Sequence, residues 1–165
     1  MEERLIKVGI THGDINGIGY EVILKTFSDA RVAELCTPVI YGSSKIAAYH
    51  RKALELPPVN MNIISQAEDA GINRVNIINC VDDETKVELS QSTSIAGEAA
   101  FLALEAAVTD LKRGAVDVLL TAPINKHNIQ NDQFHFPGHT EYLEERFGGV
   151  GRKALMILMK DGLRC

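Results

Sequence analysis

The sequence predicts an α/β protein built around a parallel sheet, and three observations support this fold class. Residues 5–27 follow the order strand, glycine-rich loop, helix, which opens many α/β folds. Residues 94–114 form a long amphipathic helical pattern that leads into the apolar run 118–120. Because this run shows no polar alternation, we expect a central parallel strand that is covered on both faces.

The remaining elements of the first half continue the alternation of strands and helices. The predicted strands are 37–41, 61–65 and 74–80. A helix is predicted at 43–54 with Ser43 as its N-cap, and His50 is placed on its wet face without a functional role. The charged span 81–91 is interpreted as a surface excursion.

The helix at 94–114 is predicted to pack against the sheet. Ser94 is the expected N-cap, and Gly114 follows the last basic residues as a stop signal. The apolar residues recur at helical spacing, at Phe101, Leu104, Val108 and Leu111. This pattern predicts a buried stripe along one helix face.

The last part of the sequence predicts a helix at 141–147 and a strand at 153–159. Residues 160–162 carry a hairpin-turn signal. The returning strand begins at 163–165, where the sequence stops without a cap or a polar tail. We interpret this stop as a cut within a strand.

Composition restricts the class of protein. The 165 residues are 45% hydrophobic, which suffices for one domain with a core. The formal net charge is −5 and no basic stripe is present, so a nucleic-acid partner is not expected. No stretch reaches bilayer-spanning length and the first residues do not resemble a signal peptide, so we expect a cytoplasmic protein without a membrane partner. The three cysteines, Cys36, Cys80 and Cys165, are widely spaced and are expected to be reduced.

The glycine-rich loop differs from known nucleotide-binding motifs. Its spacing, Gly13-x-x-x-Gly17-x-Gly19, matches neither the dinucleotide fingerprint nor the P-loop, and the P-loop lysine is missing. The carboxylate of Asp14 would also repel a phosphate. His12 and Asp14 are therefore interpreted as groups that face a substrate or a metal, or that stabilise the loop.

A second polar loop follows the predicted strand 118–120. It presents Asn125, Lys126 and His127, and then His139 and Thr140. Open α/β folds bind ligands at the carboxyl ends of their strands, and these side chains can bind anions and move protons. This loop is therefore a candidate ligand site.

The segment around His139 is predicted to begin a helix. Thr140 suits the N-cap position after the Pro137–Gly138 turn, so His139 would lie beside a helix N-terminus that can receive an anion. An ordinary cap without a ligand is the alternative. It gains weight from the acidic residues of this helix, Glu141, Glu144 and Glu145.

Three motifs, at residues 10–21, 121–126 and 136–143, together resemble the 4-hydroxythreonine-4-phosphate dehydrogenases of pyridoxal phosphate biosynthesis. They occur in the order that the family shows and extend over the whole chain. The third motif, Phe-Pro-Gly-His-Thr-Glu-Tyr-Leu, is the most specific of the three. The first departs from the commoner family form because Ile15 and Tyr20 stand where proline is usual.

The resemblance implies a homodimer with the isocitrate and isopropylmalate dehydrogenase fold, a three-layer α/β sandwich. It also implies NAD and a divalent metal, zinc, magnesium or cobalt, as cofactors. The implied reaction is oxidation and decarboxylation of 4-phosphohydroxy-L-threonine to 3-amino-2-oxopropyl phosphate, on the path to vitamin B6. The partner is then a small phosphorylated hydroxy amino acid.

The resemblance also implies roles for individual residues. His139 and Thr140 match the substrate-binding pair of the family, whereas Asp14 and Lys126 lie in matching motifs as weaker catalytic candidates. Residues that contact NAD are not assigned. The three histidines that hold the metal in the family lie downstream, and the Pro137–Gly138 step keeps His135 and His139 from forming a helical ligand pair.

We therefore expect residues 1–165 to be the amino-terminal α/β portion of a longer enzyme, inactive by itself and without metal ligands. Three alternatives remain open. The same broad fold serves phosphate acyltransferases, and a closely related dehydrogenase could act on another phosphorylated hydroxy acid. A binding module without chemistry also fits the chain by itself.

Overall fold

The computed structural model describes most of the chain, namely residues 5–149, 153–154, 157, 159–160 and 163–164. A parallel sheet lies at its centre. Its five strands are β1 (Lys7–Thr11), β2 (Thr37–Gly42), β3 (Met61–Ile64), β4 (Val75–Asn79) and β5 (Val118–Thr121). Their order across the sheet is β3-β4-β2-β1-β5, and every neighbouring pair is parallel. The predicted α/β class is thus confirmed.

Helices follow the strands and cover both faces of the sheet. They are α1 (Gly19–Phe27), α2 (Val32–Leu35), α3 (Ser44–Ala53), α4 (Ser94–Lys112) and α5 (His139–Phe147), with a 3₁₀ turn at Ala67–Asp69. On one face, Ile23 and Phe27 of α1 pack in a cluster with Ile10 and Ile40. On the other face, the alanines of α4 pack against Val39, Tyr41 and Val116. None of the helices in the described part of the chain is long and apolar enough to cross a membrane.

The prediction that 118–120 is a central strand was wrong. Among the strands that the structure describes, β5 lies at the edge of the sheet, and Val118 and Leu120 are 44% and 54% exposed. Leu120 pairs in register with Ile10, which is buried. The side chains that cover this face of the sheet over β1 therefore do not extend over β5. All six residues of β2 are buried, so β2 shows the pattern that was expected of β5.

Helix α4 begins one residue earlier than predicted. Thr93, not Ser94, is the N-cap, because its backbone is extended and its hydroxyl accepts a hydrogen bond from Ala96 N at 3.2 Å. Ser94 is the first helical residue. The apolar stripe is confirmed, since Phe101, Leu104 and Val108 are buried.

The end of the described chain contains two short strands, β6 (Met159–Lys160) and β7 (Leu163–Arg164). They pair antiparallel, Met159 with Arg164, which agrees with the predicted hairpin. Of the predicted strand 153–159, Lys153, Ala154 and Ile157 are not in a strand, and residues 155, 156 and 158 lie outside the described residues. The turn residues 161–162 and Cys165 also lie outside them.

The two described cysteines, Cys36 and Cys80, are free thiols. Burial raises the pKa of Cys80 to about 12, so this thiol stays protonated. This agrees with the reduced state expected from the sequence.

A buried stack of three rings lies beneath the glycine-rich loop. Tyr20 stacks between His12 and His50, with centroid distances of 5.1 and 5.2 Å. The Tyr20 hydroxyl accepts a hydrogen bond from Ser43 N at 2.9 Å, and His50 Nε2 lies 2.8 Å from Ile15 O. The placement of His50 on a wet helix face was therefore wrong, because this side chain is 1% exposed and holds the loop.

His12 is enclosed in this stack. It is 0% exposed, and neither ring nitrogen makes a hydrogen bond of normal geometry to any residue that the structure describes. Burial lowers the pKa of His12 to about 4 and also lowers the pKa of His50. Of the roles considered for His12, stabilisation of the loop is the one that this position supports.

A polar network joins β2, α4 and the 3₁₀ turn. The Tyr41 hydroxyl donates to Asp110 Oδ2 at 2.6 Å, and Arg113 Nε donates to Asp110 Oδ1 at 2.7 Å. Arg113 also forms a two-point ion pair with Glu68. Burial and the neighbouring Asp110 raise the pKa of Tyr41, so its phenol remains a donor.

Tyr41→Phe is expected to lower the free energy of unfolding by roughly 1 to 3 kcal/mol, because the buried Asp110 carboxylate loses a donor. Urea unfolding measures the loss. The control is Tyr49→Phe, which removes the hydroxyl of an exposed tyrosine and should have little effect. Equal losses in the two variants would contradict a stabilising role of the Tyr41–Asp110 bond.

The stability of the fold should fall as the pH drops from about 6.5 to about 4. The folded chain keeps His12 neutral over this range, whereas the unfolded chain takes up a proton near the ordinary pKa of 6.5. The contribution of His12 to the free energy of unfolding is thus fully present above pH 6.5. Between pH 6.5 and pH 4 the free energy of unfolding should fall by on the order of 3 kcal/mol, at about 1.4 kcal/mol per pKa unit.

Urea unfolding of the wild type and of His12→Phe across this pH range tests the expectation. Phenylalanine keeps a ring in the stack but cannot titrate, so the variant should show a flatter dependence. His135→Gln, at an exposed imidazole, is the control and should keep the wild-type slope. A wild-type slope in His12→Phe would show that His12 does not cause the pH dependence.

Candidate active site

The loops that follow β1 and β5 meet at the carboxyl edge of the sheet. The two strands are neighbours, and Thr11 pairs with Thr121 at their ends. Beyond the strands, Ala122 N donates to Thr11 O at 3.1 Å and Asp14 N donates to Pro123 O at 2.9 Å. The loop after β5 lies at the carboxyl edge of the sheet, as predicted. The first two sequence motifs form one surface there.

Two glycines of the first loop are required by its packing. A methyl group at Gly13, which has a φ of +70°, would overlap Pro123 O. A methyl group at Gly19 would overlap His12 O. Since these glycines allow contact between backbone segments, the loop is closed by its own chain and does not form a phosphate cradle.

Asp14 joins the two loops through its carboxylate. This residue is 8% exposed. Its Oδ1 accepts from Asn16 N at 2.8 Å, and its Oδ2 accepts from Asn128 Nδ2 at 3.1 Å. Both oxygens are thus engaged in holding the loops. Asn128 Oδ1 is buried and has no hydrogen-bond partner among the described residues.

Asn16 joins the same loop to the segment before α4. Its side-chain amide donates to Gln91 O at 2.9 Å and to Thr93 Oγ1 at 3.1 Å. Its carbonyl accepts from Glu88 N at 2.7 Å. The predicted surface excursion 81–91 is mostly exposed, but Asn16 fixes its end beside the candidate site.

Asn125 shapes the second loop and leaves its neighbours free to face solvent. Its side chain accepts from His127 N at 3.0 Å and donates to Ser92 Oγ at 3.1 Å. Lys126 and His127 are exposed. A methyl group placed at Gly138 would lie 3.8 Å from Lys126 Cε, so the lysine stem lies next to the start of α5.

The third motif is held against the second by an amide. Gln130 Nε2 donates to Lys126 O at 3.1 Å and to Phe136 O at 3.0 Å. The three motifs are therefore continuous at one edge of the sheet. The structure brings Asp14 together with the 123–128 loop, and Lys126 together with the start of α5.

His139 is the first residue of α5 and is partly buried. Burial lowers its pKa, so its imidazole is neutral near pH 7. His139 Nε2 is buried and has no hydrogen-bond partner among the described residues. A neutral imidazole nitrogen in this state can bond to a group that is not part of this chain.

Thr140 does not cap α5, contrary to the prediction. Gly138 occupies the N-cap position without a side-chain hydrogen bond, and Thr140 is exposed within the first turn. A glycine can take this place because the helix start needs an extended residue before it, which Gly138 provides with a φ of −178°. The Thr140 hydroxyl is thus available to solvent or to a ligand.

Several contributors to this surface were missed in the sequence. Asn16 and Asn128 are ordinary loop amides by pattern, and the only signal was their position beside the motif residues. Within the described ranges, no group of three or more His, Cys, Asp or Glu side chains is arranged to hold a metal ion. The described residues therefore supply no complete ligand set for the divalent metal that the family resemblance implies.

Comparison with curated proteins returns dehydrogenases. The chain is 60% identical over 164 residues to the 4-hydroxythreonine-4-phosphate dehydrogenase of Bacteroides thetaiotaomicron, covering 99% of this chain and 44% of that protein. It is 32% identical over 143 residues to a putative D-threonate 4-phosphate dehydrogenase of Clostridium botulinum, covering 84% and 42%. The chain thus spans less than half the length of these relatives.

Solved structures share the fold. The crystal structure of a 4-hydroxythreonine-4-phosphate dehydrogenase from Burkholderia phymatum superposes with a TM-score of 0.82 at 28% identity, over 98% of this chain and 49% of that one. The corresponding enzyme from Klebsiella pneumoniae gives a TM-score of 0.84 at 24% identity, over 99% and 50%. A family model described as pyridoxal phosphate biosynthetic protein PdxA matches residues 34–165. The chain belongs to the PdxA family.

Proposed function

We propose that this chain is the amino-terminal portion of a 4-hydroxythreonine-4-phosphate dehydrogenase of pyridoxal phosphate biosynthesis. The reaction oxidises the hydroxyl beside the amino-bearing carbon of 4-phosphohydroxy-L-threonine and passes a hydride to NAD. The resulting β-keto acid loses carbon dioxide and leaves 3-amino-2-oxopropyl phosphate. The observation that carries the proposal is the meeting of three sequence motifs at one sheet edge, where the buried His139 Nε2 has no hydrogen-bond partner among the described residues.

His139 and Thr140 are proposed as the substrate-binding pair. His139 offers a buried, neutral Nε2 to an oxygen of the substrate, and Thr140 offers an exposed hydroxyl one residue later. Both lie in the first turn of α5, where backbone N–H groups favour anionic groups such as the substrate phosphate or carboxylate. The ammonium of Lys126 adds a positive charge beside the same turn.

Asp14 is proposed to position the loops. Because both of its carboxylate oxygens already accept hydrogen bonds from within the chain, it is poorly placed to take a proton from a substrate. Lys126 is the better catalytic candidate of the two, since its side chain is exposed next to α5.

NAD and a divalent metal, zinc, magnesium or cobalt, are proposed as cofactors of the longer enzyme. The described residues hold no metal-ligand set, and the glycine-rich loop is closed by its own backbone. We therefore propose that the metal site, and much of the NAD site, are formed by residues beyond the described part of this chain. A cytoplasmic homodimer is proposed on the family resemblance.

A related substrate is the second candidate. The similarity to a putative D-threonate 4-phosphate dehydrogenase favours a phosphorylated hydroxy acid that carries a hydroxyl in place of the amino group. The named relatives are dehydrogenases, which does not favour the acyltransferase alternative. Parallel assays of the longer enzyme with the two substrates, following NADH formation, separate these candidates. A preference for the hydroxy acid would replace the first proposal.

His139→Ala in the longer enzyme should lower kcat/KM. The loss should correspond to on the order of 2 to 4 kcal/mol of transition-state stabilisation, because a hydrogen bond to a charged substrate group is lost. Steady-state kinetics measures the change, and circular dichroism checks the fold. His135→Ala, at an exposed histidine, is the control. Unchanged catalytic efficiency in His139→Ala would remove His139 from the site.

The 165-residue chain alone should form no NADH from 4-phosphohydroxy-L-threonine and NAD with added divalent metal. The physical reason is that its described residues supply neither a metal-ligand set nor an open phosphate cradle for the nucleotide. An absorbance assay on the purified chain, beside the longer enzyme as positive control, measures this. Metal-dependent NADH formation by the chain would show that the cofactor sites are placed wrongly.

A further inference from the structure

Helix α5, which carries His139, packs on the rest of the chain through one fully buried side chain and several partly buried ones. Tyr142 is the buried residue among the nine of this helix. Its ring stacks on Phe134 at 5.3 Å and meets Phe136 edge-on at 5.4 Å. Such ring contacts are strong but tolerate sliding and rotation, so they do not by themselves fix the orientation of the helix.

Glu105 of α4 adds two hydrogen bonds to this attachment, and Lys112 of the same helix lies over the Phe147 ring. One carboxylate oxygen accepts a hydrogen bond from the Tyr142 hydroxyl, and the other accepts from Arg146 Nη2 at 3.0 Å. The two donors are one helical turn apart on α5. Two bonds from one carboxylate to two points along a helix restrict both its rotation and its tilt.

We call the two bonds from Glu105, to Tyr142 and to Arg146, the clamp. The two residues of α5 in the clamp lie on the same helix face as His139. His139, Tyr142 and Arg146 are spaced i, i+3 and i+7, which places them in a row along the helix. Helix α4, which presents Glu105, is nineteen residues long and packs on the sheet through its alanines. The clamp therefore connects the row that contains His139 to a rigid element of the fold.

We propose that Glu105 is a positioning residue for the substrate site, because its carboxylate sets the orientation of α5 and so the direction of His139 Nε2. This inference rests on the proposed function, in which His139 binds the substrate. Glu105 lies outside the three motifs and 37 residues before Tyr142. It is 30% exposed, and Arg146 is 35% exposed, so the pair is partly shielded from water.

A residue that only stabilises the fold would change the free energy of unfolding without changing substrate affinity. A positioning residue changes KM in enzyme that remains folded. Loss of a binding contact that is equal in ground and transition states raises KM and leaves kcat nearly unchanged. The division between KM and kcat therefore separates the two roles.

The kinetic experiment uses the longer enzyme with Glu105→Ala, Glu105→Gln and Tyr142→Phe. Glu105→Ala should raise KM by about tenfold and change kcat by less than about threefold. Glu105→Gln should restore part of the loss, since its amide oxygen can still accept from Tyr142. Tyr142→Phe should give a smaller increase in KM. The control is Glu98→Gln, which removes an exposed carboxylate from the same helix and should keep wild-type KM.

A second readout does not depend on activity. The imidazole titrations of His139 and His12 are followed by NMR in the longer enzyme. In Glu105→Ala the pKa of His139 should rise towards its ordinary value because α5 loosens and the ring gains water. The titration of His12 should stay as in the wild type, which shows that the core is intact.

Wild-type KM in Glu105→Ala together with a raised KM in His139→Ala would overturn the inference. A shift of His12 along with His139 would also count against it, because general unfolding would then explain the change. If Glu105→Ala does not fold, Tyr142→Phe decides by the same criteria. An inactive wild-type enzyme would instead overturn the proposed function, while the NMR result still shows whether Glu105 orients His139.

Discussion

The parallel pairing of β1 with β5 is the constraint on which the candidate site depends. The register sets Thr11 opposite Thr121, so both strands end at the same level and their loops start side by side. The backbone bonds of Ala122 and Asp14 continue this contact into the loops. More than a hundred residues separate these two strands in sequence, so the site exists only when this strand order has formed.

Much of the fold could be predicted because strands and helices leave local patterns. Apolar runs and helical periodicity located the five strands of the sheet and the helices α1, α3 and α4. The edge position of β5 could not be read in this way, because an apolar run looks the same whether or not both faces are covered. Whether both faces of a strand are covered depends on the order of distant strands in the sheet. The burial of His50 was missed for a similar reason, because its partner Ile15 is 35 residues away in sequence.

The residues of the candidate site also fall into two groups, those found from local sequence patterns and those whose roles depend on distant partners. Some of its residues are exposed or lie at the start of a helix, and these belong to motifs that are recognisable in the sequence: Lys126, His139 and Thr140. The residues that hold them could not be found, because their roles are defined by distant partners. Asn128 bonds to Asp14 across 114 residues, and Glu105 bonds to Tyr142 across 37. A lone asparagine or glutamate gives no local signal of such a bond.

The departure of the first motif from the commoner family form has a physical counterpart in this chain. Tyr20, which stands where proline is usual, fills the space between His12 and His50 and bonds to Ser43. A methyl group at Gly42 would overlap the Tyr20 hydroxyl, so the absence of a side chain there makes room for the ring. The loop before α1 is held by this buried stack and by the hydrogen bond from His50 Nε2 to Ile15 O. Tyr20, His50 and Gly42 therefore form a mutually dependent set, and replacing Tyr20 with proline alone would leave a cavity and an unpaired Ser43 N–H in the core.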